Sequence, residues 1–479
     1  MTWRNHTGNQ RCEPRAVEAP ESLEQLVALV QRAEREGTTV RAVGAHHAWS
    51  DVALTEGFVI EPDNLGGPLQ PLDECCLKPG AGDGLAWVLA CTHLRRLNPL
   101  LYDAGLALAN MGGYDAQTIA GVVSTSTHGS GLAYGPFPDM VRSLDLVVAG
   151  GEVVRVEPAE GPTDAAAFER RHKGARRLIQ DDKRFAAAVC GMGCMGVIHA
   201  ALLEVRPRFW LNEVRTVSTW EDVKDSLTDE GVLAGPDHYE LFLNPYPRKD
   251  GKHSVLVTIR RECDEPGGAA RDKLERHPLT ELQSAFPLTW LLVRLAARWF
   301  PSLVAKRFEW LLDRMTDDGY ASRSYRVFHI GEANRIPAYS SELAVTLEGG
   351  RHVEAVDRIL AIAAERRERE RLYHTSPIAL RFVAPSKAYA SMMHGQPTMM
   401  IELILAKGTR RWEELLAGYE ERLADLGVRP HWGQFNRLDR DSDLAALYPR
   451  WDDWLDVHAE FNASGVFDLP FTDRIGISR

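Results

Sequence analysis

The chain has 479 residues, 67 acidic and 56 basic for a formal net charge of −11, with 44% hydrophobic and 26% charged side chains. This is ordinary soluble globular composition, and at roughly 100–200 residues per domain it provides for two to four domains, which excludes disorder, collagen and coiled coil. An acidic chain without a long Lys/Arg run also lacks the clustered positive charge that nucleic acid requires, so that partner is excluded.

In chain order, residues 22–36 place Leu23, Leu26, Val27, Val30 and Ala33 at helical spacing, and Gly37 closes the helix. A strand over 38–43 runs into the loop 44–50 and a further strand covers 58–60, so small β-α-β units open the chain. Residues 107–135 are rich in Gly, Ser and Thr and almost free of charge, a composition that brings bare backbone close to something. Strands at 144–148 and 153–156 flank a Gly150-Gly151 hairpin turn. A helix near 181–189 leads to a second glycine cluster, a strand over 197–205 follows, and the first domain closes near residue 206.

The middle of the chain changes character. Strands are expected at 238–243, 254–259, 325–330, 343–347, 378–383 and 398–405, with helices at 220–227, 352–371 and 412–426. Together they describe a mixed sheet covered by helices. The most apolar stretch, 286–308, is broken by Arg294, Arg298, Pro301 and Lys306, so no spanning segment of ~20 residues is expected. It reads as amphipathic core or cap helices, with attachment to a membrane surface as the alternative. The tail from Arg429 holds His431-Trp432-Gly433 and Tyr448-Pro449-Arg450-Trp451, too aromatic for a disordered end. Seven cysteines form no even framework and no repeated C-x-x-C pair, and the first residues lack a secretory layout; a reducing, cytoplasmic location is expected.

Three motifs invite chemistry. Gly191-Met192-Gly193-Cys194-Met195-Gly196 is a formal G-x-G-x-x-G, but a dinucleotide fingerprint needs a strand before the glycines and a helix after them. Here the order is reversed, which leaves a plain helix-to-strand turn or a glycine turn that touches a nucleotide in another fold. In Val43-Gly44-Ala45-His46-His47-Ala48, neighbouring histidines on an extended chain point to opposite sides, and no H-x-E, E-x-x-H or C-x-x-C partner completes a metal shell. A buried histidine is one reading; a strand-end loop hugging a cofactor phosphate, with one imidazole on the cofactor, is the other. Residues 118–131 offer successive backbone N–H groups and hydroxyls as an anion nest. A serine-rich surface loop is the alternative, yet such loops seldom carry Ile119, Val122 and Val123 with no Asp, Glu or Lys. No G-x-S-x-G elbow and no G-x-x-x-x-G-K-[ST] loop occurs, which weakens hydrolase and phosphotransferase readings.

In their order, Pro20 with 22–27, Val43 to Ala53, Thr118 to Gly131 and Gly193 to Ile198 resemble the FAD domain of the vanillyl-alcohol oxidase (PCMH-type) superfamily. Arg429-Pro430-His431-Trp432-Gly433 and Leu447-Tyr448-Pro449-Arg450-Trp451 narrow the resemblance to its aldonolactone and alditol oxidase branch. The resemblance implies an α+β, two-lobed architecture. A PCMH-type FAD-binding domain (1–206) would hold the cofactor, a mixed sheet-and-helix substrate or cap domain (207–428) would face the flavin, and a C-terminal segment (429–479) would return to it. It implies FAD contacts from Arg41, Val43, Gly44, Ala45, His46, His47, Ala48, Ser50, Gly121, Ser124, Thr125, Thr127, His128, Gly131, Gly196, Val197, Ile198 and His431. His47 falls where many members bond the flavin covalently. His46 departs from the family's glycine and Ala48 from its serine.

Oxidising a CH–OH group sends hydride to the flavin and the hydroxyl proton to a base, and a cation or donor stabilises the charge left on the reduced ring. The family's lysine after the closing motif is Gln434 here, a donor without charge, while Arg381 aligns with the branch's active-site arginine. Glu402, between apolar strand residues, suits a proton acceptor or a hydroxyl anchor. Position 379 is alanine where alditol oxidases carry a polyol-binding glutamate. With Met392, Met393, Met399 and Met400 this points to a less polar pocket, unless the methionines are core. The expected function is FAD-dependent oxidation of a sugar-1,4-lactone or related carbohydrate, with O2 or another electron acceptor. A bulkier apolar alcohol, or an FAD-retaining protein without turnover, is the alternative.

Overall fold

A computed structural model describes residues 2–228, 230–266, 289–329 and 337–479. Three short strands, β1 (Ala16–Glu18), β2 (Val40–Ala42) and β3 (Phe58–Ile60), form a parallel sheet in the order β1–β3–β2. Helix α1 (Leu23–Arg35) connects β1 to β2. Ser22 caps it by accepting from the Gln25 N–H, and Leu26, Val30 and Ala33 pack on Val40, Phe58 and Ile60.

A five-stranded sheet follows, built from β4 (Leu85–Leu89), β5 (Val141–Val147), β6 (Val153–Glu157), β7 (Arg177–Gln180) and β8 (Val197–Glu204) in the order β7–β6–β5–β8–β4. Gly150 and Gly151, at φ 81° and 74°, turn β5 into β6 where other residues would be strained. Residues 118–131 are not all loop. They open as α2 (Ile119–Ser124), capped by Thr118, because Ile119, Val122 and Val123 fall on one face and are fully buried.

The sheet changes between Glu204 and Trp210. β9 (Trp210–Thr219), β10 (His238–Leu243), β11 (Ser254–Cys263), β12 (Asp317–Arg323), β13 (Ala338–Thr346), β14 (Ile378–Val383), β15 (Thr398–Ala406) and β16 (Arg429–Pro430) form one antiparallel sheet. Its order is β12–β9–β11–β10–β14–β15–β13–β16. A cap of three helices, α3 (Thr289–Trp299), α4 (Pro301–Ala305) and α5 (Phe308–Arg314), touches β15 and β11, while α6 (Arg351–Glu370) and α7 (Trp412–Arg422) bury Val356, Ile359, Leu415 and Tyr419 on Leu343, Ile401 and Leu403.

Residues 325–330, expected as a strand, begin instead as the helix Ser324–Phe328. Phe328 packs on Phe209 and His238, and so short an apolar run fits either period. Residue 330 lies outside the described residues, as do 286–288 of the apolar stretch. The tail returns to the first lobe. Helix Trp451–Phe461 packs on helix Asp182–Ala188, Trp454 Nε1 donates to the Cys190 carbonyl at 3.1 Å, and the Val40 N–H donates to the Val466 carbonyl at 2.8 Å. Among the described residues no helix is long and apolar enough to cross a membrane. The architecture is α+β and two-lobed, as the resemblance implies.

Candidate active site

A cavity of about 910 Å³ lies between the lobes, at the upper end of the roughly 300–1,000 Å³ usual for small-molecule sites. Its lining gathers residues far apart along the chain. β2 and the loop after it give Arg41, Val43, Gly44, Ala45, His46, His47 and Ala48; α2 and the turn after it give Gly121, Ser124, Thr125, Thr127 and His128. Gly196, Val197 and Ile198 come from the start of β8, Arg381 and Glu402 from the eight-stranded sheet, and His431 and Gln434 from the tail.

Ser50 and Gly131 stand behind the lining. Ser50 Oγ donates to the Trp432 carbonyl and the Gly131 N–H to the Phe382 carbonyl, both at 2.6 Å, so each ties a lining segment to its neighbour. Met392, Met393, Met399 and Met400 are fully buried and do not line the cavity; they are core residues, and the less polar pocket inferred from them falls away.

One end of the cavity is built for close approach to an anion. A Cβ at Gly44 would collide with Thr118 Oγ1, and one at Gly193 with the Arg41 guanidinium. Arg41 is buried: Nη1 donates to the Met192 carbonyl at 2.8 Å and Nε has no partner. Burial lowers its pKa to about 10, which still leaves a cation at neutral pH. A buried cation with an unused donor on a cavity wall calls for an anionic ligand. His46 adopts φ 59°, the left-handed region that costs a non-glycine residue about 1–2 kcal/mol, at the position where the family's glycine would sit without strain. The His47 ring lies 4.4 Å from those of His6 and Tyr114. Burial first, then His6, His46 and His93, lowers its pKa to about 3, so its imidazole is neutral. A buried arginine and hydroxyls from Thr118, Ser124, Thr125 and Thr127, on segments that Gly44 and Gly193 allow to pack closely, fit the pyrophosphate of FAD.

At the other end, neighbouring strands place charges side by side. Across β10, β14, β15 and β13, Glu240 stands opposite Arg381, Ala379 opposite Glu402, and Glu402 opposite Glu342. Arg381 Nε lies 2.7 Å from Glu240, and Nη1 donates to Glu402 at 2.9 Å. Burial alone would depress this guanidinium, but Glu240, Glu402 and Glu342 outweigh it and raise its pKa, so Arg381 is a permanent cation.

Glu342 accepts from His128 Nε2 and from Gln434 Nε2, both at 3.1 Å. Burial pushes its pKa up, yet His128 foremost, then His431 and Arg381, hold it below the usual carboxylate range. Glu402 moves the other way: burial, with Glu342 beside it, raises its pKa against the pull of Arg381. Two facing carboxylates are thus pushed apart, the arrangement that separates an ionised group from a proton carrier. His431 Nδ1 accepts from the Gly433 N–H at 3.0 Å, and burial lowers its pKa to about 4. Glu342 escapes the sequence reading because the strand is expected to begin at 343; a carboxylate inside an apolar strand run, the signal that marks Glu402, marks it too.

A family model described as D-arabinono-1,4-lactone oxidase matches residues 201–475, and one described as an FAD binding domain matches residues 14–157. The chain is 29% identical to L-gulono-1,4-lactone dehydrogenase of Mycobacterium tuberculosis, across 99% of this chain and 98% of that one. It is 26% identical to alditol oxidase of a Streptomyces species, across 98% and 97%. The cholesterol oxidase of B. sterolicum shares the fold, with a TM-score of 0.75 at 13% identity over 99% of this chain and 96% of that one. The chain belongs to the D-arabinono-1,4-lactone oxidase family and is an FAD-dependent oxidoreductase acting on CH–OH donors.

Proposed function

We propose that the chain oxidises a sugar-1,4-lactone or related carbohydrate, with residues 1–206 binding FAD, 207–428 the substrate and 429–479 closing the site. The observation that carries this reading is the trio of Arg381, Glu402 and Glu342 on the wall of the cavity whose other end holds Arg41. When bound, FAD supplies the hydride acceptor.

Arg381 donates to the substrate's oxygens and holds Glu402 at the same time. Glu402, its pKa raised toward working pH, accepts the hydroxyl proton. Glu342 stays ionised and fixes the rotamers of His128 and Gln434; Gln434 offers a hydrogen bond where the family's lysine would offer charge. Arg41 and the hydroxyls of Ser124, Thr125 and Thr127 would hold the pyrophosphate. His47, neutral and packed against Tyr114, has a free lone pair for a covalent bond to the flavin. O2 or another electron acceptor would take up the electrons released from the substrate. Free Cys12, Cys76, Cys91, Cys190, Cys194 and Cys263 support residence in the reducing cytoplasm.

A second reading, a bulkier apolar alcohol, is favoured by the wall of Phe242, Phe308, Leu311 and Met315 in the same cavity. Anaerobic titration of the holoprotein separates the two. Bleaching of the flavin absorbance by an aldono-1,4-lactone, but not by a polyol, is expected. Bleaching only by a sterol or long-chain alcohol selects the second reading, and no bleaching by any lactone overturns the first.

A further inference from the structure

We propose that the cap helices α3, α4 and α5 form a docking surface for an anionic lipid bilayer at the mouth of the active-site cavity. The inner side of the cap is ordinary: Ala297, Ala305, Phe308 and Leu312 are buried. The outer side is apolar where solvent would call for polar residues. Leu292, Leu295, Trp299, Phe300, Leu303 and Trp310 are 45% to 69% exposed, and the other large exposed hydrophobic residue among those described, Val232, lies elsewhere. Scattered exposed apolar residues need no explanation, but six within residues 292–310 mark an interaction surface.

Charge identifies the occupant. Residues 289–315 carry Arg294, Arg298, Lys306, Arg307 and Arg314 against Glu309 and Asp313, five cations to two anions, in a chain of net charge −11. Trp, Phe and Leu interleaved with Lys and Arg is the composition of segments that lie in a headgroup layer. The guanidinium of Arg298 lies 5.9 Å from the Trp299 ring and that of Arg314 5.4 Å from the Trp310 ring, pairing apolar bulk with a cation at one depth. A second copy of the chain fits less well, because a two-fold contact through the exposed tryptophans would set Arg298 and Arg314 against their own copies.

The patch is continuous with the active site. Leu292, Leu303 and Trp310 are exposed and also line the cavity, so its mouth opens on this face. The inference does not depend on which alcohol is oxidised.

Co-sedimentation of the holoprotein with vesicles of equal parts phosphatidylglycerol and phosphatidylcholine tests it, with pure phosphatidylcholine as the reference. Vesicle affinity is expected to be at least about tenfold higher with phosphatidylglycerol and to weaken as salt shortens the screening length from about 8 Å to about 3 Å. The variant Leu295→Glu/Trp299→Glu/Phe300→Glu, at exposed positions outside the cavity lining, keeps its flavin and its turnover of soluble substrate and loses at least about tenfold in vesicle affinity. The milder Arg298→Gln/Lys306→Gln variant loses the preference for phosphatidylglycerol. Absence of binding to either vesicle, or binding that the triple variant leaves unchanged, overturns the proposal. A lipid-free dimer that the same variant dissociates overturns it too, by making a second copy the occupant.

Discussion

Arg381 does two jobs at once, and its replacements separate them. Arg381→Lys keeps a charge but loses the planar fork that reaches Glu240 and Glu402 together. It is expected to lower kcat by about 10²–10³ in steady-state assays, the loss typical of one preorganised donor. Arg381→Met leaves the buried Glu402 without its cation and Glu240 with Arg260 alone, which costs about 3–5 kcal/mol in urea unfolding. Glu402 carries the pH dependence. As the base it must be ionised, so kcat/KM rises with pH through its raised pKa, and Glu402→Gln removes that acidic limb. The folded chain also binds this proton more tightly than the unfolded chain. Its contribution to stability is therefore greatest below the unfolded value of about 4.3 and declines as pH climbs through the folded one. At His47 the readout is colour: after acid precipitation the yellow flavin is expected to stay with the wild-type pellet and to pass to the supernatant in His47→Ala. Residues of this kind are legible in sequence when chemistry conflicts with surroundings, as a carboxylate among Ile401 and Leu403 does; Glu342 shows that the same signal is lost when a strand's start is misplaced by a few residues.

At the scale of elements, α7 shows how a buried carboxyl couples a helix on the eight-stranded sheet to the tail. Glu420 accepts the Arg437 N–H at 3.0 and 3.1 Å, and burial raises its pKa to about 7. Because the folded value lies above the unfolded one, stability is full below about pH 4.3 and falls, on the order of a few kcal/mol, as pH rises through 7. Thermal melts between those limits are expected to show that fall in the wild type and a flatter profile in Glu420→Gln. The strands legible in advance, β10, β11, β14 and β15, are each marked by a run of buried apolar residues, although Glu240, Arg260 and Arg381 are buried among them. β9 is not: its buried Glu213 is paired with Arg260 at 2.7 Å, so the sheet's inner face reads as polar along that strand. α2 is missed for a related reason, since Gly, Ser and Thr suppress a helix locally and burial of Ile119, Val122 and Val123 overrides them.

For the whole molecule, segment order was legible and the approach of the lobes was not. Among the contacts that join them are bonds to main-chain and hydroxyl groups, such as Gly131 to Phe382, Ser126 to Ser391 at 2.8 Å, and Trp49 Nε1 to the Ala338 carbonyl at 2.8 Å. Bonds of this type leave almost no mark on composition or periodicity. They nonetheless set the loop at 43–48 and the segment at 118–128 on one side of a single cavity and the carboxylates of β13 and β15 on the other. A crystal structure of the FAD-bound protein is the decisive check on that convergence. Pyrophosphate density beside Arg41 and Gly44, with the flavin ring toward His128 and Gln434, is the predicted result. Density for FAD in any other cavity, or residues 43–48 and 118–128 contacting no part of it, would contradict the account.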